Sequence, residues 1–350
     1  MSILIDLTKE AMLLVSKNPK SPILASRLYK NLTSIFKEIY SGVILNESSE
    51  VATVYATETA FRYLNHYSEK YLKGSELSKD VKIAMYKKYN LNTKLVADKK
   101  IKKFSKLILN GFIGYDAKEF GCSIVGVKSP IYPNPNNLTQ WTGENFLDLN
   151  IQFRITKSIN INDYLASAPD FTDYDNKLKE LHYQTLTPYH IEVVKKWAGG
   201  PGTSTPSGLW LDILFREIAE AKPDLEEEIF QISAFAEAMY NTFLVVWHNK
   251  KTYLTERPFQ HAARIGLIGF TTVIPTPPFP AYISGHSTVS QVAGSFLSTW
   301  YPLKSQEFRD MVEEASNSRI LGKIHYRQDC VKGMSIGKEL FKVLVKKIKR

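Results

Sequence analysis

Apolar positions recur along this chain at spacings of three and four residues far more often than at two. Leu28, Leu32, Ile35, Phe36 and Ile39 fall on one helical face, and Ile229, Ile232, Ala236 and Met239 do the same further on. The alternation that a half-buried strand requires is nearly absent. The pattern predicts helices over 24–41, 50–72, 76–90, 98–114, 187–198, 207–221, 224–249, 253–265, 285–301, 305–320 and 325–347. Between Cys122 and Phe146, proline and asparagine crowd the stretch SPIYPNPNNLTQWTGEN, which predicts an irregular connection near 122–146. The glycine-rich run from Gly199 to Gly208 lacks the Gly-Lys-Ser/Thr ending of a nucleotide-binding loop and reads as a helix connector or lid. The expected fold class is all-α, two packed four-helix-type bundles. A scaffold over 1–200 and a site-bearing bundle over 201–350 would form one structural domain.

With 350 residues, 44% of them hydrophobic, the chain can bury a large core. Its longest uncharged run, Ile265 to Leu303, is broken by Pro275, Pro277, Pro278 and Pro280, so no segment reads as a transmembrane helix. The opening MSILIDLTKEAMLLVS places Asp6, Lys9 and Glu10 where a secretory signal needs an unbroken apolar stretch, and a cytoplasmic location is expected. A chain whose export signal had been trimmed would look the same and would be periplasmic or secreted. Cys122 and Cys330 match no metal or redox spacing and read as two free buried thiols.

The formal charge of +10 concentrates anions near the surface. No helix-turn-helix, zinc-finger spacing or basic-aromatic reading element accompanies it, so nucleic acid is not expected and a small anion is. Three motifs could hold one. In WHNKKTYLTERP, Lys250 and Arg257 stand seven residues apart, close to two turns if one helix carries both, which would set a compact charge beside a planar fork. In FPAYISGHSTVSQVAGSF, Ser284 is a candidate N-cap whose helix start offers free N–H groups. Gly285 clears the approach to them, and His286 could exchange protons there. In NSRILGKIHYRQD, His325 and Asp329 are four apart, so the carboxylate can hold one ring nitrogen and leave the other free. Arg319, six before His325, converges only if its side chain wraps or the chain bends near Gly322. Each motif alone also suits a solvated face, a plain cap or a surface pair. His66, His182, His190, His248 and His261 form no zinc-like pair and read as structural or exposed, although His248 adjoins Trp247 and could border a pocket mouth.

Together the motifs run Lys, six residues, Arg-Pro; Ser-Gly-His; then Ser-Arg, five residues, His, three residues, Asp. This set resembles the signature of the superfamily uniting vanadium-dependent haloperoxidases with type 2 phosphatidic acid phosphatases and bacterial acid phosphatases. TPPFPAYISGHS and SRILGKIHYR are more similar to the soluble haloperoxidase branch, and the likeness extends over nearly the whole chain. Trp247 and Phe279 stand where that branch lines the halide side of its pocket, with core packing as their alternative. Ile283 and Asn241 depart from the residues usual there.

The resemblance implies vanadate as cofactor, with phosphate able to occupy the same site. His325 would be its axial ligand, Lys250, Arg257, Ser284, the Gly285 N–H and Arg319 would hold its oxygens, and His286 would be the acid-base residue. It implies halide, hydrogen peroxide and a small organic molecule as substrates, Lys250 as polariser of peroxide, and a homodimer. The same residues could hydrolyse a phosphate ester, with His325 as nucleophile through a phosphohistidine and Asp329 orienting it. A third reading is a non-catalytic oxyanion-binding or interaction protein. Its candidate surface is the basic terminal helix KELFKVLVKKIKR, which otherwise reads as a packed helix with a solvated face.

Overall fold

The chain enters its first helix at Ser2, whose side chain accepts from the Ile5 N–H, and α1 runs Ile3–Lys17. Leu4, Leu7, Ala11, Leu14 and Val15 are buried at helical spacing, and Asp6 sits in the first turn, where the helix dipole favours an acid. Helices α2 (Pro22–Ile44), α3 (Ser49–Tyr71), α4 (Lys79–Lys88) and α5 (Lys99–Phe120) follow. In this computed structural model residues 2–18, 22–71, 79–92, 95, 98–120 and 159–347 are described, and no strand occurs among them. The expected irregular connection near 122–146, Cys122, and residues 72 and 76–78 of the predicted helices lie outside the described residues.

A 3-10 turn, Ile161–Tyr164, leads to α6 (Tyr174–Tyr183), α7 (Pro188–Lys196), α8 (Thr205–Ala221), α9 (Leu225–Tyr253) and α10 (Pro258–Arg264). The chain closes with α11 (Gly285–Trp300), a second 3-10 turn (Pro302–Lys304), α12 (Ser305–Leu321) and α13 (Arg327–Lys347). Helix α2 packs against α3 and α9, while α11 packs against α9, α12 and α13. One apolar core joins these helices from Ile3 to Leu344, and a smaller cluster forms around Tyr174, Leu178, Leu181, Ile320 and Tyr326.

Helices α1 and α6 lie outside the expected set, and the predicted helix over 253–265 begins only at Pro258. A stretch within Leu225–Arg264 is also long and apolar enough to span a membrane, with mean hydropathy 1.3, against the expectation that no segment is. The fold accounts for that apolarity, because 89% of the stretch is buried within the protein, where a spanning helix would face lipid.

The terminal helix α13 packs through Cys330, Gly333, Gly337, Leu340 and Leu344. A Cβ at Gly333 would stand 2.8 Å from the Ser284 carbonyl, and one at Gly337 would stand 2.8 Å from that of Thr288. Bare glycine at both positions therefore lets α13 lie directly on the first turns of α11, which positions the site.

Candidate oxyanion site

Leu254 ends α9 in the left-handed conformation, φ 46, and its N–H returns to the Lys250 carbonyl. Arg257 is the N-cap of α10, its backbone N–H held by Gln260 Oε1 at 2.8 Å, with Pro258 at the first helical position. The expectation that Lys250 and Arg257 share a helix face is thus incorrect, because the helix stops between them. They converge instead on the Phe279 ring, with Lys250 Nζ and Arg257 Cζ each 5.3 Å from its centroid.

Lys250 is buried, and Nζ donates to the carbonyls of Pro280 (2.6 Å), Ala281 (2.9 Å) and Ile283 (2.8 Å). Three acceptors occupy all three protons of an ammonium, so Lys250 staples the segment that delivers Ser284 and reaches an anion by charge rather than by a spare N–H. Ile283, one of the two positions at which the sequence departs from the haloperoxidase resemblance, contributes through its backbone. Asn241, the other, is buried on α9 with Nδ2 unpartnered.

Arg257 spends Nε on the Phe279 carbonyl (2.9 Å) and Nη1 on the Ile324 carbonyl (2.8 Å), and Nη1 also lies 2.8 Å from His325 Nε2. Its Nη2 is buried without a partner. On the far side, Nδ1 of His325 donates to Asp329 Oδ2 at 3.0 Å, an oxygen that also receives the Tyr326 N–H at 3.1 Å. This tautomer leaves the His325 Nε2 lone pair facing Arg257. Arg319 and His325 are brought together by a turn at Gly322, the C-cap of α12, followed by Lys323 at φ 56. The Arg319 guanidinium donates to Ser318 Oγ and to the carbonyls of Ala198 and Val194.

Ser284 caps α11 as expected, its side chain accepting from the Ser287 N–H (3.3 Å) and Ser287 Oγ–H (3.0 Å). A Cβ at Gly285 would meet Phe243 and Val246 at 3.5 Å, an ordinary contact with α9, so no clash within the protein demands glycine. His286 Nε2 is buried and unpartnered, while the Trp197 backbone hydrogen-bonds to the same ring. Gly199, at φ 57, lies so close that a Cβ there would stand 2.9 Å from His286 Nε2. The stretch read as connector or lid is therefore a wall of the site at its first residue. Neither Trp197 nor Gly199 was identified from sequence as a site residue.

Trp247 is buried behind Phe279, with ring centroids 5.1 Å apart, and meets Phe243 edge-on at 5.6 Å. His248 is partly exposed, about 100° further round α9 than Trp247. Phe279, Gly285 and His286 are partly exposed, whereas Lys250, Arg257, Ser284, Arg319, His325 and Asp329 are buried, so the cluster opens to solvent along the first three.

Burial disfavours charge throughout. It lowers Arg257 to about 9 and Arg319 to about 10, both still protonated at neutral pH. His286 and His325 are held well below 6.5 by burial and then by the cations around them, so both rings are neutral. Lys250 is pushed down by burial and by Arg257, although its three carbonyl acceptors require the ammonium form. Burial also raises Asp329 to about 6 against the pull of the Tyr326 N–H and Arg257.

The donor set is two unprotonated imidazole nitrogens, His325 Nε2 beside Arg257 Nη1 and the unpartnered His286 Nε2, among three cations. That composition suits a tetrahedral oxyanion better than a bare divalent cation. The unpartnered Arg257 Nη2 and His286 Nε2 are donor and acceptor groups that such an anion could satisfy. Vanadate or phosphate therefore fits the residues present.

No family profile and no curated protein sequence matches the chain. Solved structures do. A bacterial vanadium-dependent iodoperoxidase aligns with TM-score 0.75 and 18% identity over 97% of this chain and 94% of its own. A bacterial vanadium-dependent chloroperoxidase aligns in its holo form with TM-score 0.66 and 10% identity, over 95% and 93% of the two chains. Its apo form gives 0.65 and 9%, over 94% of each. The chain has the all-α fold of the bacterial vanadium-dependent haloperoxidases.

Proposed function

We propose that this protein binds vanadate and uses hydrogen peroxide to oxidise halide to hypohalous acid, which halogenates small organic molecules. The observation that carries this reading is the neutral His325, with Nδ1–H on Asp329 and Nε2 turned toward Arg257, in a buried cluster with Lys250, Arg319 and the unpartnered Nε2 of His286. When bound, vanadate would supply Lewis-acid activation of peroxide without changing its own oxidation state.

His325 Nε2 would hold the vanadium, while Arg257, Arg319, Ser284 and the Gly285 N–H bind oxygens and Lys250 adds charge from its carbonyl staple. His286, neutral and near solvent, can take or return one proton at Nε2. Phe279, backed by Trp247, lays an apolar ring against both cations, a surface that favours a polarisable halide over a polar ester.

The test is halogenation of a dye by the vanadate-loaded protein with peroxide and bromide or iodide, which His325→Ala should abolish. Rapid aryl phosphate hydrolysis without halide oxidation would replace this reading by the phosphatase one, with His325 as nucleophile. Binding of oxyanion without either reaction would leave a binding protein.

A further inference from the structure

His261 on α10 is completely buried, yet both ring nitrogens are engaged. Nε2 lies 2.8 Å from Asp175 Oδ1 and Nδ1 lies 2.7 Å from the Tyr326 hydroxyl. A carboxylate can only accept, so Nε2 carries the proton and Nδ1 accepts from Tyr326. Tyr174 completes the cluster. Its ring stacks on His261 at 4.5 Å and 14°, lies 4.4 Å from the Tyr326 ring, and its hydroxyl bonds to that of Tyr326. Asp175 is the solvent-facing end, its side chain 63% exposed.

Tyr326 follows His325 directly, in the turn before α13 where helical hydrogen bonds do not yet fix the backbone. Its N–H donates to Asp329 Oδ2, the oxygen that holds His325 Nδ1–H. The ring of Tyr326 therefore sets the orientation of a peptide, the peptide sets a carboxylate, and the carboxylate sets an imidazole. Nothing in the proposed chemistry uses His261, so its double engagement needs another purpose.

We infer that Asp175, His261 and Tyr326 form a positioning chain that fixes the orientation of His325 from the protein surface. For its consequence in ligand binding the inference rests on the reading of His325 as the nitrogen ligand of an oxyanion. Outer partners of a ligating histidine typically change metal affinity by roughly 10- to 100-fold when removed.

Two measurements on folded His261→Phe, His261→Gln and Tyr326→Phe variants test it. One is the downfield proton resonance of His325 Nδ1–H in the ligand-free protein, assigned by its loss in His325→Ala. The other is calorimetric titration with orthovanadate. Both phenylalanine variants should shift or broaden the resonance and weaken orthovanadate at least about tenfold. His261→Gln, which can accept from Tyr326 and donate to Asp175, should restore most of both, a rescue that simple packing would not give. An unchanged resonance in both phenylalanine variants overturns the positioning chain whether or not vanadate binds. A wild-type protein that ignores orthovanadate while its resonance responds to these substitutions overturns the oxyanion reading alone.

Discussion

The backbone N–H of Ser284 donates to the backbone carbonyl of Asp329 at 3.0 Å, so the start of α11 and the first turn of α13 are joined by main chain. Replacing the Asp329 side chain spares that link and isolates the role of the carboxylate. Asp329→Ala would leave the His325 Nδ1–H and the Tyr326 N–H buried without acceptors, a loss of about 2–4 kcal/mol in urea denaturation. Asp329→Asn keeps one acceptor oxygen where both donors meet and should cost less than half as much. Equal stability of the alanine variant and wild type would remove the carboxylate from this account.

Two glycines near Ser284 should respond unequally to an added methyl. Gly333→Ala drives a methyl to 2.8 Å from the Ser284 carbonyl and 3.0 Å from Thr288 Oγ1, where packed backbone cannot yield cheaply. It should destabilise the fold by roughly 1–3 kcal/mol. Gly285→Ala meets only Phe243 and Val246 at 3.5 Å and should leave stability within about 0.5 kcal/mol of wild type. Chemical denaturation of the two variants side by side checks both numbers.

Lys250 presents a different liability. Lys250→Met would strand the carbonyls of Pro280, Ala281 and Ile283, and the gain from removing a buried charge offsets only part of that, so a net loss of about 2–4 kcal/mol is expected. Lys250→Arg should not rescue it, because a planar fork cannot converge on three carbonyls as a point ammonium does. Melting temperatures of the three proteins decide the matter, and a stable arginine variant would contradict the staple.

Much of this arrangement is legible along the chain, and the rest fails for identifiable reasons. Helices α2, α9, α11 and α12 announce themselves because a long apolar face repeats every three to four residues. Helix α6 buries only Tyr174, Leu178 and Leu181 and starts at Asp173, φ 55, without a side-chain cap, so it leaves little trace in sequence. Helix α1 does carry the periodic signal, in Leu4, Leu7, Ala11 and Leu14, but an apolar-rich segment at the chain start invites comparison with a signal peptide first, even with Asp6, Lys9 and Glu10 inside it. The break between α9 and α10 turns on a leucine in a left-handed conformation, which no local rule favours, although Pro258 marks where the next helix begins. The motif residues stand out as polar groups at regular offsets in apolar surroundings. Trp197 and Gly199 reach His286 from nearly ninety residues away, and Asp175 reaches His261 from a similar separation, contacts that only the packed fold creates.

The depressed histidines make stability depend on pH in a direction that can be worked out. In the unfolded chain His286 and His325 take up protons near 6.5, whereas in the fold they do so only well below that. The unfolded state therefore binds more protons under mild acid, and their contribution, complete above 6.5, is lost as pH falls below it. Asp329 acts oppositely. Raised to about 6 from 3.8, it binds its proton in the fold first and adds stability as pH falls through that window. Within the site, two imidazoles against one carboxyl favour a net loss between pH 6.5 and 4. Glu228, raised to about 7, opposes it elsewhere and the lowered His248 and His261 add to it, so comparing the urea midpoints of a variant and wild type isolates the site's share of the acid limb. His286→Gln removes one of the two imidazoles and should make that acid limb shallower by close to one proton. Parallel midpoints for wild type and the glutamine variant from pH 7 to pH 5 would mean that His286 is not held neutral by its surroundings.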